Sequence, residues 1–212
     1  MRLMMLFLSA CLVAGTLGAQ ELKMIKLEAP DKAGGIPVFK AFAERKSSRG
    51  FATERLKPKD LSTLLWAANG INRGDGKRTA ASAMDKRDVD VYALLPEGAY
   101  IYDAKAHALN PVAAGDFRAA AAGGQDFAKS APLILVLVSD LTRFNENPDD
   151  GTKLTGALDA GIVSQNISLA CAGLGLATVP RGTMNQAELR TALKLKATHY
   201  LGLNHPVGYF KK

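Results

Sequence analysis

The stretch Arg45-Lys46-Ser47-Ser48-Arg49-Gly50-Phe51 gathers two guanidiniums, an ammonium and two hydroxyls. That set matches the oxygen shell of a phosphate monoester. Arginine meets phosphate through a two-pronged fork, lysine adds a point charge, and a serine hydroxyl can complete the shell. The same residues also fit a solvated, charged helix end, and the residues alone leave both readings open. An apolar segment, Leu61 to Gly70, follows, and then a small-residue loop, Arg78-Thr79-Ala80-Ala81-Ser82. A basic serine-bearing cluster, an apolar helix and a small-residue loop in that order point to a bound, phosphate-bearing cofactor.

Other chemical signatures are missing. The chain has no Gly-x-Gly-x-x-Gly after a strand, no phosphate-loop lysine motif and no Gly-x-Ser-x-Gly. His107, His199 and His205 lack spaced companions, so no metal site is expected, and His205-Pro206 reads as a loop feature. The net charge of +7, from 27 Lys+Arg against 20 Asp+Glu, is scattered along the chain. Without a basic-aromatic stripe it implies solubility plus one anion site, and no nucleic-acid partner.

The elements that must carry these residues follow from periodicity. Val38, Phe39, Phe42 and Ala43 mark a short amphipathic helix ending near Arg45. Pro58-Lys59-Asp60 starts a second helix with Asp60 as its cap, and Asn69-Gly70 ends it. Val89 to Leu95 and Ala99 to Asp103, joined at Pro96-Glu97-Gly98, form a hairpin with Tyr100 and Tyr102 on one face. His107 to Ala113 adds a third strand, and Phe117 to Ala122 is helical. Pro132 to Ser139 is an apolar run that fits a strand buried on both faces. Arg143 to Gly151 is a polar loop. A long helix, about 154–174, has Leu154, Leu158, Ile162, Gln165 and Leu169 on one stripe. Gly156, Ala157, Ala160, Gly161 and Ser164 thin another part of it, allowing close packing against a helix or a flat ring. It reads as a buried central helix. A strand over Leu176 to Val179, a helix from Asn185 to Leu195 and a strand from His199 to Gly208 complete the chain. Helices and strands mix without βαβ alternation, so the fold class is α+β, with a mixed sheet flanked by helices.

With 212 residues, 48% hydrophobic and 22% charged, the chain has the profile of one globular domain. Met1-Arg2, the apolar run Leu3 to Leu17 and Gly18-Ala19 read as a signal peptide over residues 1–19, so the expected compartment is periplasmic. Leu8-Ser9-Ala10-Cys11 also resembles a lipoprotein processing site, ranked below simple cleavage; contact with a membrane is expected only through a lipid on Cys11. Residues 20–37 form an extended segment, and 38–212 the domain. Cys171 is then the one remaining thiol and reads as a small buried side chain.

The ordered motifs resemble the nitroreductase-like, FMN-dependent family. Arg45-Lys46-Ser47-Ser48-Arg49-Gly50-Phe51 is similar to that family's Arg-x-Ser-x-Arg/Lys-x-Phe signature. Leu61 to Gly70 is similar to its next element, and Pro206-Val207-Gly208-Tyr209 to its Gly-Tyr-Pro ending. Arg78 to Asp85, followed by Val89 to Tyr92, resembles the branch related to thiazoline and oxazoline oxidases. The resemblance spans roughly Val38 to the C-terminus. It implies a nitroreductase-like fold and FMN as cofactor. Arg45, Lys46, Ser47 and Arg49 would hold the FMN phosphate and the pyrimidine side of its ring. Ser82 and Asp85 would lie beside the ring, and Pro180, Arg181 and Gly182 would approach it from a covering loop. The family usually carries Asn near position 85 and Gln near 87, so Arg87 is expected to neutralise Asp85. The resemblance further implies a homodimer with FMN at the subunit interface, and an oxidoreductase acting on a small organic molecule such as a nitro compound, quinone or heterocycle. The alternatives are a ligand-binding module that keeps the fold without turnover, and a structural envelope protein.

Overall fold

The apolar run after Pro132 becomes β5 (Leu133–Asp140), and the rest of the chain is arranged around it. The computed structural model describes residues 21–212, so the proposed leader and Cys11 lie outside the described residues. β5 joins β1 (Ile25–Lys26), β2 (Val89–Leu95), β3 (Gly98–Asp103), β4 (Ala108–Ala114), β6 (Leu176–Thr178) and β7 (His199–Tyr209) in one sheet of order β1-β4-β3-β2-β5-β7-β6. Successive side chains of a strand point to opposite faces. Leu133, Leu135 and Leu137 therefore enter one core, and Ile134, Val136 and Val138 the other. The first core is covered by α2 (Pro58–Asn69) and α5 (Asp150–Leu174). The second is covered by α3 (Arg118–Ala122), α4 (Asp126–Lys129) and α6 (Gln186–Ala192). α1 (Val38–Glu44) packs on α5. The result is the expected α+β architecture, in three layers.

The sheet is not mixed: every described ladder is antiparallel. β5 and β6, linked by the crossover helix α5, do run in the same direction. β7 inserts between them, antiparallel to both, so the two never pair.

The long helix departs most from its expected packing. Its core side carries Gly156, Ala160, Val163, Ile167 and Cys171, whereas Leu154 and Leu158, each 62% exposed, and Ile162 face outward. Small residues let the helix backbone approach the sheet, which turns the leucine stripe away from it. A Cβ on Gly156 would collide with the Ser139 hydroxyl, while one on Gly161 would meet nothing within 4 Å. The helix also starts earlier than its hydrophobic pattern, because Asp149 accepts from the Thr152 N–H at 2.8 Å as an N-cap. α1 likewise buries only Ala41 and exposes Val38, Phe39 and Phe42.

Two further expectations change. Asp60 does not cap α2; its carboxylate accepts from the Tyr209 hydroxyl at 2.6 Å, and the cap position is Lys57. His205 is no loop residue but sits fully buried in β7, where burial pushes its imidazole down to about 3. Cys171 is the buried thiol expected, with burial pushing its pKa up.

The two helix glycines make a paired prediction. Gly156→Ala destabilises by about 1–3 kcal/mol through overpacking against Ser139, whereas Gly161→Ala stabilises by about 0.5–1 kcal/mol through helix propensity. Denaturant midpoints of both variants against wild type provide the check.

Candidate functional site

The Arg45–Arg49 strip leaves the C-terminus of α1 as extended chain and is fastened to the edge of the sheet. The Ser48 N–H donates to the Thr178 carbonyl on β6 at 2.9 Å, and Ala52 N–H donates to the Tyr209 carbonyl at the same distance. Phe51, buried, bridges to Phe210. This anchoring leaves Arg45, Lys46, Ser47 and Arg49 exposed. Among the described residues none of the three cations makes an ion pair, although ten such pairs occur elsewhere. The Ser47 hydroxyl makes no hydrogen bond among the described residues. Two of the cations lie over aromatic rings: Lys46 Nζ is 5.6 Å from the centre of the Phe210 ring, and Arg49 Cζ is 5.8 Å from that of Phe127. Three cations and a hydroxyl without competing carboxylates are the donor set a phosphate monoester requires, so the residues fit the phosphate of FMN.

The Pro180–Gly182 segment lies beside this strip, two residues beyond Thr178. Pro180 and Gly182 are exposed, but Arg181 is buried. Its backbone bridges to Asn204 on β7. Its guanidinium donates to the carbonyls of Ala121 and Ala122 at 3.2 and 2.7 Å, to Asn204 Oδ1 at 2.9 Å and to Gln125 Oε1 at 3.0 Å. Burial lowers its pKa. The side chain is therefore committed to the protein interior, and what this segment offers outward is Pro180 and Gly182.

Ser82 and Asp85 sit elsewhere. They belong to a tight loop in which Met84, Asp85 and Arg87 all adopt left-handed backbone, at φ 52, 52 and 53°. Such conformations cost of order 1–3 kcal/mol each unless the surroundings hold them. Here the surroundings do. The Arg87 guanidinium forms two hydrogen bonds with the Asp85 carboxylate, at 3.1 and 2.9 Å, so the expected neutralising pair is formed. The Arg87 N–H donates to Ser82 Oγ at 2.7 Å, and the Ala83 N–H to Asp159 Oδ2 of α5 at 2.8 Å. Behind the loop Asp88 is fully buried; it accepts from the Ser139 hydroxyl at 2.5 Å and from that of Ser82 at 3.3 Å. Burial, and then the neighbouring Asp159 carboxyl, push Asp88 up to about 6.

One chain does not bring all these residues together. The strip and Pro180–Gly182 lie near Cys171 and Thr178, whereas the Ser82–Asp88 loop lies near Asp159 and Ser139. Asp159 and Cys171 are about 18 Å apart along α5 at 1.5 Å per residue. Leu133 and Ser139, at the two ends of β5, are about 20 Å apart at 3.3 Å per residue. Both rulers separate the residues into two half-sites. Sequence reasoning missed the Asp88–Asp159–Ser139 cluster, although an aspartate on the small-residue side of α5 was a usable signal. It also missed Phe127, for which the sequence around α4 offers none.

Three comparisons bear on this geometry. Residues 42–209 match the model of the nitroreductase family. A protein of Methanocaldococcus jannaschii described as a candidate nitroreductase is 30% identical over 174 residues, covering 78% of this chain and 87% of that protein. The crystal structure of a similarly described protein from Ralstonia eutropha JMP134 superposes with a TM-score of 0.82 at 38% identity, over 89% of this chain and 90% of that one. The NADPH:FMN oxidoreductase of Vibrio harveyi, complexed with NAD+, shares the fold at a TM-score of 0.61 and 22% identity, over 82% of this chain and 69% of that one.

Asp88 makes stability depend on pH. A carboxyl whose pKa rises on folding keeps its proton better in the folded chain, so its contribution is complete below about pH 4 and is lost as pH rises through about 6. Asp88→Asn removes this dependence. Melting temperatures of wild type and variant from pH 4 to 7 check it: the wild-type curve falls relative to that of the variant.

Proposed function

The chain belongs to the nitroreductase family, a family of FMN-dependent oxidoreductases, and from that premise we propose that it binds FMN on the Arg45–Arg49 strip and passes two electrons between a donor and a small organic substrate. The carrying observation is the set of three exposed cations that, among the described residues, have no carboxylate partner, beside a Ser47 hydroxyl that makes no hydrogen bond there. When bound, FMN supplies the redox chemistry. The protein's part is grip, orientation and shielding. In this reading Arg45, Lys46 and Ser47 hold the phosphate. Arg49 lies toward the pyrimidine side, and the exposed Pro180 and Gly182 approach the ring. Arg181 contributes through the shape of its loop, since its guanidinium is occupied.

The proposed functional unit is a homodimer. Leu154, Leu158 and Ile162 on α5, with Phe39 (83% exposed) and Phe42 on α1, leave large apolar side chains in water. Apolar faces of this kind mark interaction surfaces. A second copy seated on α5 would bring its Ser82–Asp85 loop toward this chain's strip, uniting the two half-sites. The Asp85–Arg87 pair then presents a nearly neutral surface, which removes the repulsion a lone carboxylate would exert. The Arg78–Asp85 segment supports placement near the thiazoline and oxazoline oxidases, and hence a nitro compound, quinone or heterocycle as substrate. The N-terminal pattern supports export to the periplasm, where the electron donor would be one other than cytoplasmic nicotinamide.

Two measurements test this reading. Arg45→Ala weakens FMN binding by about 1.5–3 kcal/mol, the range for a charge-assisted hydrogen bond, as read by fluorescence titration; unchanged affinity places the phosphate elsewhere. Leu158→Asp shifts the protein from dimer to monomer in sedimentation velocity, while a wild type that sediments as a monomer contradicts the shared site.

A further inference from the structure

Phe127 is the residue that connects the exposed strip to the buried Arg181. Both guanidiniums lie over its ring, Arg49 Cζ at 5.8 Å and Arg181 Cζ at 5.5 Å from the centre. Phe127 sits on α4, only four residues long, so its position depends on what holds the turn before it. Arg181 does so, bonding the last carbonyls of α3 and the Gln125 side chain. The Gln125 carbonyl in turn accepts from the Ala128 N–H at 3.0 Å, which starts α4. Gly123 at φ 56° reverses the chain there, and a Cβ on it would meet Met184 backbone at 2.9 Å. The α3–α4 turn is thus pressed against the segment that follows Gly182.

We propose that Phe127, fixed in place by Arg181, is a positioning residue that holds the Arg49 guanidinium toward bound FMN. This rests on the reading that the strip binds FMN. An exposed arginine samples many rotamers, and ordering it on binding costs entropy. A ring face that attracts the guanidinium beforehand reduces that cost.

The test is a double-mutant cycle on FMN affinity, read by fluorescence titration of the purified protein. Phe127→Leu weakens binding roughly 2–5-fold, the worth of an exposed cation–π contact, and has no effect once Arg49→Ala is present. Phe127→Trp, which keeps a ring face, restores wild-type affinity. Phe127→Met, apolar and flexible without a ring, repeats the loss and covers poor folding of the leucine variant. The midpoint potential of bound FMN falls in the leucine and methionine variants and recovers with tryptophan. Equal weakening with and without Arg49, or a tryptophan variant as weak as leucine, overturns the positioning role while leaving FMN binding intact. A wild type that binds no FMN defeats the underlying reading and this inference together.

Discussion

A strand with no polar face must be covered on both sides. β5 buries three leucines in one core and Ile134, Val136 and Val138 in the other, all nearly inaccessible to water. Stripping any one of these large side chains to alanine removes about 2–5 kcal/mol, a large share of the stability of an ordinary domain. That constraint requires helices on both faces. It makes α5 the long crossover, about 37 Å at 1.5 Å per residue. α5 in turn sets the distance between the cationic strip at one end and the strained Ser82–Arg87 loop toward the other. The separation of the strip from the loop is thus a consequence of the core, and the outward leucines of α5 are the face on which the proposed second copy would seat.

Electrostatics divides the same way. On the strip three exposed cations make no ion pair among the described residues, so their charge faces outward uncancelled. At the loop end, two arginines are paired, Arg87 with Asp85 and Arg143 with Asp90 at 2.6 Å, while burial and the neighbouring Asp159 carboxyl favour the protonated form of Asp88. One end leaves its charge outward, and the other uses its charge to hold a backbone shape. Arg181 stands between these cases, since its bonds go to carbonyls and amides and its charge is left uncancelled.

The sequence carried whatever was local. The strip was legible because its three cations fall within five residues, and β5 because its run is unbroken. The start of α6 near Asn185 was legible for the same reason; there the Asn185 side chain accepts from the Glu188 N–H at 3.2 Å. What failed depended on remote partners. Asp60 meets Tyr209 across 149 residues, so its role as a cap was a local guess that a tertiary contact overrode. The Arg181 guanidinium is held by Ala121, Ala122 and Asn204, which arrive from other elements and leave no local trace in the sequence. Which face of α5 meets water was not legible, because periodicity gives two stripes and cannot say which is inside. Glycine at 156 decided it by admitting Ser139. The expected mixed sheet does not form, although β5 and β6 run in the same direction, because β7 lies between them.

The central claim is that unpaired cations on an exposed strip grip a phosphate. It is tested most directly by comparing the affinity of the wild-type protein for FMN and for riboflavin, which has the same ring without the phosphate. The account predicts FMN bound roughly tenfold or more tightly, as a charged hydrogen bond requires, with the gap narrowing as salt screens the strip. Equal affinity for the two flavins, at every salt concentration, would contradict it.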